Sequence, residues 1–427
     1  MTSTLIKSLP LNAPTIRQLP NGLTIVAEQM PVEAVNLSLW VNVGSAAESD
    51  QINGMAHFLE HMVFKGTEKL ASGEFERLIE ERGAVTNAST SQDYTHFYIT
   101  SAPKDFADLA PLQIDVVLNP SIPDEAFERE RLVVLEEIRR SEDNPRRRTY
   151  QRSMETAFEK LPYRRPVLGP ASVIEQLTPQ QMRDFHNQRY QPKSITAVAV
   201  GNLPAEKLID IVAESFLQNN GSLHHHHEID QYTLEPEAPF GEIIRREYVD
   251  ETLQQARLIL VWRVPGLIEL SHTYALDVVA AILGQGRTSR LVRDLRENRH
   301  LVTNISASNL SHQLQGIFQV AAQLPIENIP EVEAAIIEHI SNMHTEPVTA
   351  WEISRVRTQV ANRFVFANET PSDRAGMYGY YQSMVGDLAP ALNYPARIQA
   401  LDEVDLQMAI NRYLSPEAYG AISFKPN

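Results

Sequence analysis

Residues Val35–Val43 read VNLSLWVNV, with an apolar side chain at every second position. Such strict alternation indicates a β-strand with one face in a core. The pattern returns in Ala256–Val264, which read ARLILVWRV. Gly44 follows the first run directly, and Gly266 follows the second run after one proline. The two runs therefore predict equivalent strands in two related parts of the chain.

Other landmarks recur in the same order. VTNASTS at residues 85–91 is echoed by VTNISAS at 302–308. NQRYQP at 187–192 is echoed by NRYLSP at 411–416, and a mostly apolar run comes soon after both. Matching landmarks in matching order indicate an internal duplication. We therefore predict two homologous domains.

The boundary between these domains is predicted from composition. Asn219–Gly241 contains NNGS, four consecutive histidines, several acidic residues and two prolines, and such residues cannot build a core. We predict an N-terminal domain at 1–218, a linker at 219–241 and a C-terminal domain at 242–427. The tract His224–His227 lacks the fixed geometry of a metal site, so we interpret it as solvated linker.

The pattern around these strands predicts the fold class. Asp105–Leu118 and Asp124–Arg140 carry apolar residues at helical spacing, and IPDE at 122–125 is typical of a helix start. Alternating strands together with amphipathic helices predict antiparallel sheets, each with one face covered by helices. The predicted architecture is therefore two α+β domains.

Composition excludes several classes of protein. The net charge of −16 argues against nucleic acid or an anionic membrane as the main partner. No apolar run approaches the roughly 20 residues of a membrane span. The chain has no cysteine, which excludes disulfides and thiolate ligands and fits a reducing compartment. We expect a cytoplasmic protein that binds neither nucleic acid nor a membrane.

The residues that carry chemistry form the motif H-x-x-E-H, written HFLEH at 57–61. On a helix, His57 and His61 lie one turn apart on the same face, a spacing at which both imidazoles can bind one zinc ion. Glu60 lies on the same face, where its carboxylate can reach a water in an open coordination position. The order of residues is the reverse of H-E-x-x-H, and the chemistry is the same.

A catalytic zinc takes three protein ligands, so a third must come from elsewhere. The predicted helix Asp124–Arg140 offers Glu130 and Glu137, which are two turns apart on one face. Between them the run Leu132–Leu135 predicts that this helix is packed against the domain. On chemistry alone, either glutamate or neither is the third ligand.

The sequence around the motif and Glu137 points to a known family. The H-x-x-E-H motif, followed by Glu137 in ERERLVVLEEI at 128–138, resembles the inverzincin peptidases of the pitrilysin and mitochondrial-processing-peptidase (insulinase-like) type. LPNGL at 19–23, NASTSQDYT at 87–95 and GRTSRL at 286–291 extend the resemblance over nearly the whole chain. Size and duplication resemble the short, two-domain branch of that family.

The resemblance implies a role for each residue of the motif. His57, His61 and Glu137 become ligands of one Zn2+ per chain, and Glu60 becomes the general base of a peptide-bond hydrolase. Glu130 becomes the carboxylate that orients a ligand. The expected activity is that of a zinc metalloendopeptidase acting on extended or unfolded peptides through metal-activated water.

The resemblance also implies how substrate and partner are arranged. The strand around Asn87 and Ala88 becomes a sheet edge onto which an extended peptide adds as a further strand. Members of the short branch pair into a closed chamber, so a clamshell-like dimer is expected. Arg296 becomes a substrate-binding residue in the second half.

One position departs from the family pattern. Related chains place a tyrosine seven residues after the arginine, whereas this chain has Thr303 at that position. A complete metal site beside an incomplete substrate clamp resembles two-component members of the family. The expected partner is a homologous chain that carries Arg and Tyr but lacks H-x-x-E-H, or else a second copy in a homodimer.

Two other functions compete with the peptidase hypothesis. A non-catalytic subunit of a larger assembly would have the same fold, but such subunits usually lose H-x-x-E-H. A metal-storage module would need neither the duplication nor the spacing to Glu137. The intact motif favours the peptidase.

Overall fold

The structure is a computed structural model that describes residues 13–219 and 234–426. The histidine tract His224–His227 and most of the predicted linker lie outside these residues. The boundaries predicted for the two domains stay a prediction.

The described residues form eleven strands in two sheets. The strands are β1 (Thr15–Gln18), β2 (Thr24–Gln29), β3 (Val35–Val41), β4 (Val85–Thr90), β5 (Thr95–Ser101), β6 (Ile195–Gly201), β7 (Ile244–Val249), β8 (Ala256–Pro265), β9 (Asn304–Leu310), β10 (Gln315–Leu324) and β11 (Gly420–Lys425).

The described residues also form fifteen α-helices. They are α1 (Met55–Met62), α2 (Glu74–Glu81), α3 (Phe106–Leu118), α4 (Asp124–Asp143), α5 (Pro145–Ala157), α6 (Ala171–Ile174), α7 (Pro179–Arg189), α8 (Ala205–Asn219), α9 (Leu270–Gly284), α10 (Ile329–Thr345), α11 (Ala350–Phe366), α12 (Pro371–Val385), α13 (Ala389–Leu392), α14 (Tyr394–Ala400) and α15 (Glu403–Tyr413). Val292–Asn298 form a π-helical segment.

Strand order confirms the predicted pair of related α+β domains. The first sheet has the order β1-β2-β6-β3-β5-β4, and the second has the order β7-β11-β8-β10-β9. Apart from β1, the two orders match strand for strand. Each sheet contains one parallel pair, β2 with β6 and β7 with β11, and its other pairs are antiparallel. The sheets are therefore mixed rather than purely antiparallel.

The chain divides into two compact units, and each unit is discontinuous in sequence. Among the described residues, unit 1 contains 13–138, 166–219 and 363–392, and unit 2 contains 139–165, 234–362 and 393–426. Unit 1 therefore includes α12 from the second half of the chain, and unit 2 includes α5 from the first half. The sequence repeat gave no indication of this exchange.

Helix exchange explains why the central strands of the first sheet are buried on both faces. Ile25 and Ala27 of β2 belong to the larger core of unit 1, on the side of α1 and α3. Val26, between them, belongs to a smaller core formed with α12. All seven residues of β3 and of β6 are buried. The expectation of one covered face was wrong for this sheet, because α12 covers the other face.

A buried ion pair fixes α12 to the first sheet. Glu28 at the end of β2 is 2% exposed and accepts hydrogen bonds from Arg374 Nη1 at 2.6 Å and Tyr378 Oη at 2.7 Å. Gly379 allows the helix to approach Trp40, since a Cβ there would overlap the indole Nε1. Removing one member of such a pair leaves a buried charge without its partner, at a cost of about 3–5 kcal/mol.

No apolar run near the length of a membrane span was recognised in the sequence, but one segment that includes α9 is long enough. By length and composition alone, Leu267–Gly284 could cross a membrane. In the structure 72% of this segment is buried within the protein. Its apolar character is accounted for by packing in the core of unit 2, which includes Leu276, Val279 and Ile282.

Candidate metal and catalytic site

The helix that carries H-x-x-E-H is short and starts at a glycine. Gly54 has φ +98°, a conformation that L side chains rarely adopt, and a Cβ there would lie 2.6 Å from the carbonyl oxygen of Leu168. The next eight residues form α1. Phe58, Leu59 and the other apolar residues of α1 are buried in the core. The glycine start and the buried apolar side chains therefore fix the first turn of α1, which contains His57.

Aromatic packing joins α1 to α4. The rings of Phe58 and Phe127 stack with their centroids 4.5 Å apart. Glu130 and Glu137 follow Phe127 on α4, so this contact brings two carboxylates of a distant segment beside the histidines. The run that predicted a packed helix is only partly buried, because Leu132 and Val133 are exposed whereas Val134 is buried.

His57, His61 and Glu137 converge. Their candidate ligand atoms lie within 4.8 Å of one another. Oε2 of Glu137 is 3.5 Å from Nε2 of His57 and 3.7 Å from Nε2 of His61. Ligands bound tetrahedrally to zinc at 2.0–2.1 Å would be about 3.4 Å apart. Two imidazole nitrogens and a carboxylate oxygen at this separation fit a zinc ion in both chemistry and spacing.

Glu130 holds the other nitrogen of His61. Its Oε1 lies 2.9 Å from Nδ1 of His61, and its Oε2 lies 2.7 Å from Nζ of Lys65. With the proton on Nδ1, the lone pair of Nε2 faces Glu137. Burial raises the pKa of Glu130, but its hydrogen bonds to His61 and Lys65 outweigh burial and leave the pKa below its usual value. Glu130 therefore stays ionised as an acceptor.

The same contacts act on His61. Burial lowers the pKa of this imidazole, but the hydrogen bond and charge of Glu130, with the charges of Glu60 and Glu137, leave the pKa above its usual value. A positive charge is therefore favoured where the imidazole faces the carboxylates. A bound cation would meet the same favourable field.

Glu60 projects from α1 toward the sheet edge. Its carboxylate accepts a hydrogen bond from the hydroxyl of Thr90, the last residue of β4. Burial raises the pKa of Glu60, and the opposing effects of Thr90 and His61 do not cancel it. A carboxylate whose pKa is raised toward neutrality is a better proton acceptor and donor in that range.

The predicted peptide-binding strand is an edge strand. β4 pairs with β5 and ends the first sheet. Asn87 and Ala88 lie in its middle, opposite Tyr98 and Phe97. The side-chain oxygen of Asn87 accepts a hydrogen bond of 2.9 Å from the backbone N–H of Ala88.

The two predicted positions of the second half lie in unit 2. Arg296 belongs to the π-helical segment, where its guanidinium bonds Oε1 of Glu297 at 2.7 and 2.9 Å. The hydroxyl of Thr303 lies 2.7 Å from Oε1 of Gln255 and 3.1 Å from the carbonyl oxygen of Gln323. Both side chains therefore have partners within unit 2.

Three residues near the site were missed by sequence reasoning. Lys65 follows His61 by four residues, and that helical spacing was a usable signal. Thr90 meets Glu60 only through tertiary structure. Glu48 accepts hydrogen bonds from amides at the start of α1, and no local sequence motif predicts this contact.

The chain is similar to known proteins over most of its length. Residues 24–171 match the family described as insulinase (peptidase family M16), and residues 176–360 match the domain described as the peptidase M16 inactive domain. An uncharacterized zinc protease of Mycobacterium bovis is 29% identical over 420 residues, which are 97% of this chain and 94% of that protein. Zinc protease PqqE of Helicobacter pylori is 26% identical over 416 residues, 96% of this chain and 92% of that one.

Solved structures show the same fold. A protease from Helicobacter pylori has a TM-score of 0.90 at 24% identity, covering 97% of this chain and 100% of its own. A peptidase M16 inactive domain from Pseudomonas fluorescens has a TM-score of 0.83 at 20% identity, covering 97% and 99%.

Proposed function

The chain belongs to the insulinase family of peptidases (family M16), and from that premise we propose that it is a zinc-dependent endopeptidase of extended or unfolded peptides. The observation that carries this proposal is the convergence of His57, His61 and Glu137, with the carboxylate of Glu60 on the same helix. All four residues lie in the segment that matches the peptidase family, and none lies in the segment that matches the inactive domain.

One zinc ion per chain would be held by the two imidazoles and by Glu137. When bound, it would supply a Lewis acid and lower the pKa of a water molecule toward neutrality. Glu130 orients His61 and keeps its Nε2 available as a ligand, and Lys65 keeps Glu130 in place.

Glu60 is the proposed general base. It takes the proton of the attacking water and returns it to the leaving amine of the cleaved bond. Its burial and raised pKa suit both steps, because the carboxylate must accept a proton and then release it. The hydroxyl of Thr90 holds the carboxylate at the end of the strand that we propose binds substrate.

The free edge of β4 suits an extended peptide, whose backbone would add to the sheet as a further strand. The N–H of Ala88 is held by the side chain of Asn87, so that side chain must move for this N–H to bond a peptide. Such binding depends on hydrogen bonds to the peptide backbone rather than on contacts with side chains. The selectivity of the peptidase should therefore depend more on the conformation of the substrate than on its sequence.

The partner is proposed from Arg296 and Thr303. Arg296 is held by Glu297, and Thr303 lacks the reach of the tyrosine of related chains. We propose that a homologous chain carrying Arg and Tyr completes the substrate clamp. A homodimer that relies on Arg296 and backbone contacts is the alternative.

Zinc analysis and peptide cleavage test the proposal together. The purified protein should contain about one zinc per chain and cleave unfolded peptides, alone or with the homologous chain from the same genome. Glu60→Gln should keep its zinc and lose at least about a thousandfold in kcat. Glu80→Gln, an exposed carboxylate on α2, is the matched control and should cleave as the wild type does.

Two outcomes would contradict this assignment. A zinc-loaded chain that cleaves no unfolded peptide, with or without its homologue, would indicate the non-catalytic subunit. Turnover by Glu60→Gln at the wild-type rate would show that another group is the base.

A further inference from the structure

The first turn of α1 has no cap of its own. The first amides of any helix lack carbonyl partners within it, and a side chain just before the helix usually satisfies one of them. Here the residue before the helix is Gly54, which has no side chain to offer. The partner for these amides must come from elsewhere in the fold.

Glu48 supplies it. Its Oε2 accepts a hydrogen bond of 2.8 Å from the backbone N–H of Gly54, and its Oε1 accepts one of 2.7 Å from the N–H of Ala56. The carboxylate spans the whole start of the helix, up to the residue before His57. Hydrogen bonds from amides to a carboxylate are shorter and stronger than those between neutral groups.

The carboxylate is itself fixed from outside the helix. Glu48 is 5% exposed, and its Oε2 accepts a second hydrogen bond of 2.8 Å from Nδ2 of Asn53. The same Nδ2 donates to the carbonyl oxygen of Pro166 at 3.0 Å. A negative charge held at a helix N-terminus is also favoured by the helix dipole.

We propose that Glu48 is a positioning residue for the metal site. By holding the amides on either side of Met55, it fixes the rotation and height of the first turn of α1. That turn sets the direction of His57, and the next turn carries Glu60 and His61. The other end of the helix is fixed separately, through Glu130 and Lys65. This inference rests on the proposed function, since it concerns the ligands named there.

An ordinary helix cap would stabilise the protein without changing the geometry of bound metal. The distinguishing variant is Glu48→Gln, which replaces one acceptor oxygen by an NH2 donor facing an N–H. Asp50→Asn is the matched control, because it removes a carboxylate two residues away on an exposed side chain.

Three measurements separate positioning from simple stabilisation. In Glu48→Gln, the Kd for zinc measured against a competing chelator should rise about 10- to 100-fold, as for residues that orient ligands. The visible absorption spectrum of the Co2+-substituted protein should change, because it reports ligand geometry. Hydrogen exchange at the amides of Gly54 and Ala56 should accelerate in the metal-free protein. Asp50→Asn should match the wild type in all three.

The proposal is overturned if folded Glu48→Gln binds zinc within about threefold of the wild type and its cobalt spectrum is unchanged. If that variant does not fold, Asn53→Ala tests the same point, since it removes one donor and leaves both backbone hydrogen bonds. It should raise the Kd by less, and an unchanged Kd and cobalt spectrum would overturn the proposal. A wild-type chain that binds zinc but cleaves no peptide contradicts the proposed function and leaves the role of Glu48 intact.

Discussion

The helices α1 and α9 occupy equivalent places in the two repeats. α1 lies between β3 and β4, and α9 lies between the corresponding strands β8 and β9, but the two helices differ in length and composition. α1 has 8 residues and carries two histidines and a glutamate, whereas α9 has 15 residues, most of them apolar and buried. In unit 1, α1 meets the edge strand through the hydrogen bond between Glu60 and Thr90. In unit 2, α9 meets the corresponding strand at Gly284, where a Cβ would overlap the backbone nitrogen of Ala307.

This difference shows how one fold holds the candidate metal site in one copy and a mostly apolar core in the other. At Gly284 the backbones of helix and strand are in contact, and the polar side chains of this junction, Asp277 on α9 and Asn309 on β9, are hydrogen-bonded to each other. In unit 1 the same junction is made by polar side chains that can move protons or bind a cation. The two repeats thus share a strand order, and the candidate site depends on a few residues of α1 together with Glu137 of α4.

The largest effect on this comparison is expected from removing Glu137, the proposed zinc ligand that α4 brings to α1. Glu137→Gln should weaken zinc binding at least about a hundredfold, because the anionic oxygen facing both imidazoles is lost. Glu136→Gln, the adjacent exposed carboxylate, should bind zinc as the wild type does. Chelator competition measures both. Full zinc affinity in Glu137→Gln would show that another group is the third ligand.

The second prediction concerns Asp277, the buried carboxylate of α9, and its effect on stability. Asp277 accepts hydrogen bonds from Asn309 at 2.8 Å and from Tyr394 at 3.0 Å, yet burial raises its pKa to about 6. Because the folded pKa lies above the unfolded value of about 3.9, its contribution to stability is fully present below about pH 4 and is lost as pH rises through about 6.

Asp277→Asn should remove this pH dependence and raise the free energy of unfolding at about pH 7.5 by about 1–2 kcal/mol. Urea unfolding of the variant and the wild type at about pH 4 and about pH 7.5 measures the effect. A difference between the two proteins that is the same at both pH values would contradict the raised pKa. Zinc binding should not change, because the site belongs to the other repeat.

A smaller effect is expected at the junction of α1 with β4. Thr90→Val keeps the shape of the side chain but removes the hydroxyl that holds Glu60, so kcat should fall about tenfold with little change in KM. Thr90→Ser retains a hydroxyl and should recover most of the activity. Peptide cleavage by the zinc-loaded variants gives both constants. Equal activity of Thr90→Val and Thr90→Ser would show that the hydrogen bond is dispensable.

The smallest effect concerns the substrate clamp that we propose for the second repeat. Thr303→Tyr should raise kcat/KM of the chain alone by about threefold, which is the gain of roughly one added hydrogen bond. Thr303→Val, the control, removes the hydroxyl without adding reach and should give no gain. No increase in Thr303→Tyr would favour a homodimer that needs no tyrosine.

The sequence predicted those parts of the molecule that depend on local periodicity. Alternation in Val35–Val43 and its echo identified equivalent strands, and the spacing of His57 and His61 identified a shared helix face. The parallel strand pairs could not be predicted, because β2 and β6 are far apart in sequence and nothing in either records its partner. The exchange of α5 and α12 was invisible for the same reason, since an amphipathic helix does not specify which sheet it covers.

The candidate site shows the same limit. Chemistry alone left Glu130 and Glu137 equivalent, and only the family resemblance separated them. In the structure Glu137 faces both imidazole Nε2 atoms, while Glu130 holds the opposite nitrogen of His61. The carboxylate of Glu48 escaped notice because a cap contributed from outside the helix, through an intervening loop, leaves no spacing to recognise.

The position of α12 late in the sequence affects when the first sheet can be completed during protein synthesis. By residue 219 every strand of the first sheet has been synthesised. The face that carries Val26, Trp40 and Val198 packs against Ala375, Tyr378 and Leu388, which are synthesised much later. That apolar face stays open to solvent, or to a chaperone, until most of the second repeat has been translated. The carboxylate of Glu28 likewise lacks its hydrogen bond from Arg374 until that residue has been synthesised. Although the sequence is a duplication, completion of the first sheet is a late event in synthesis.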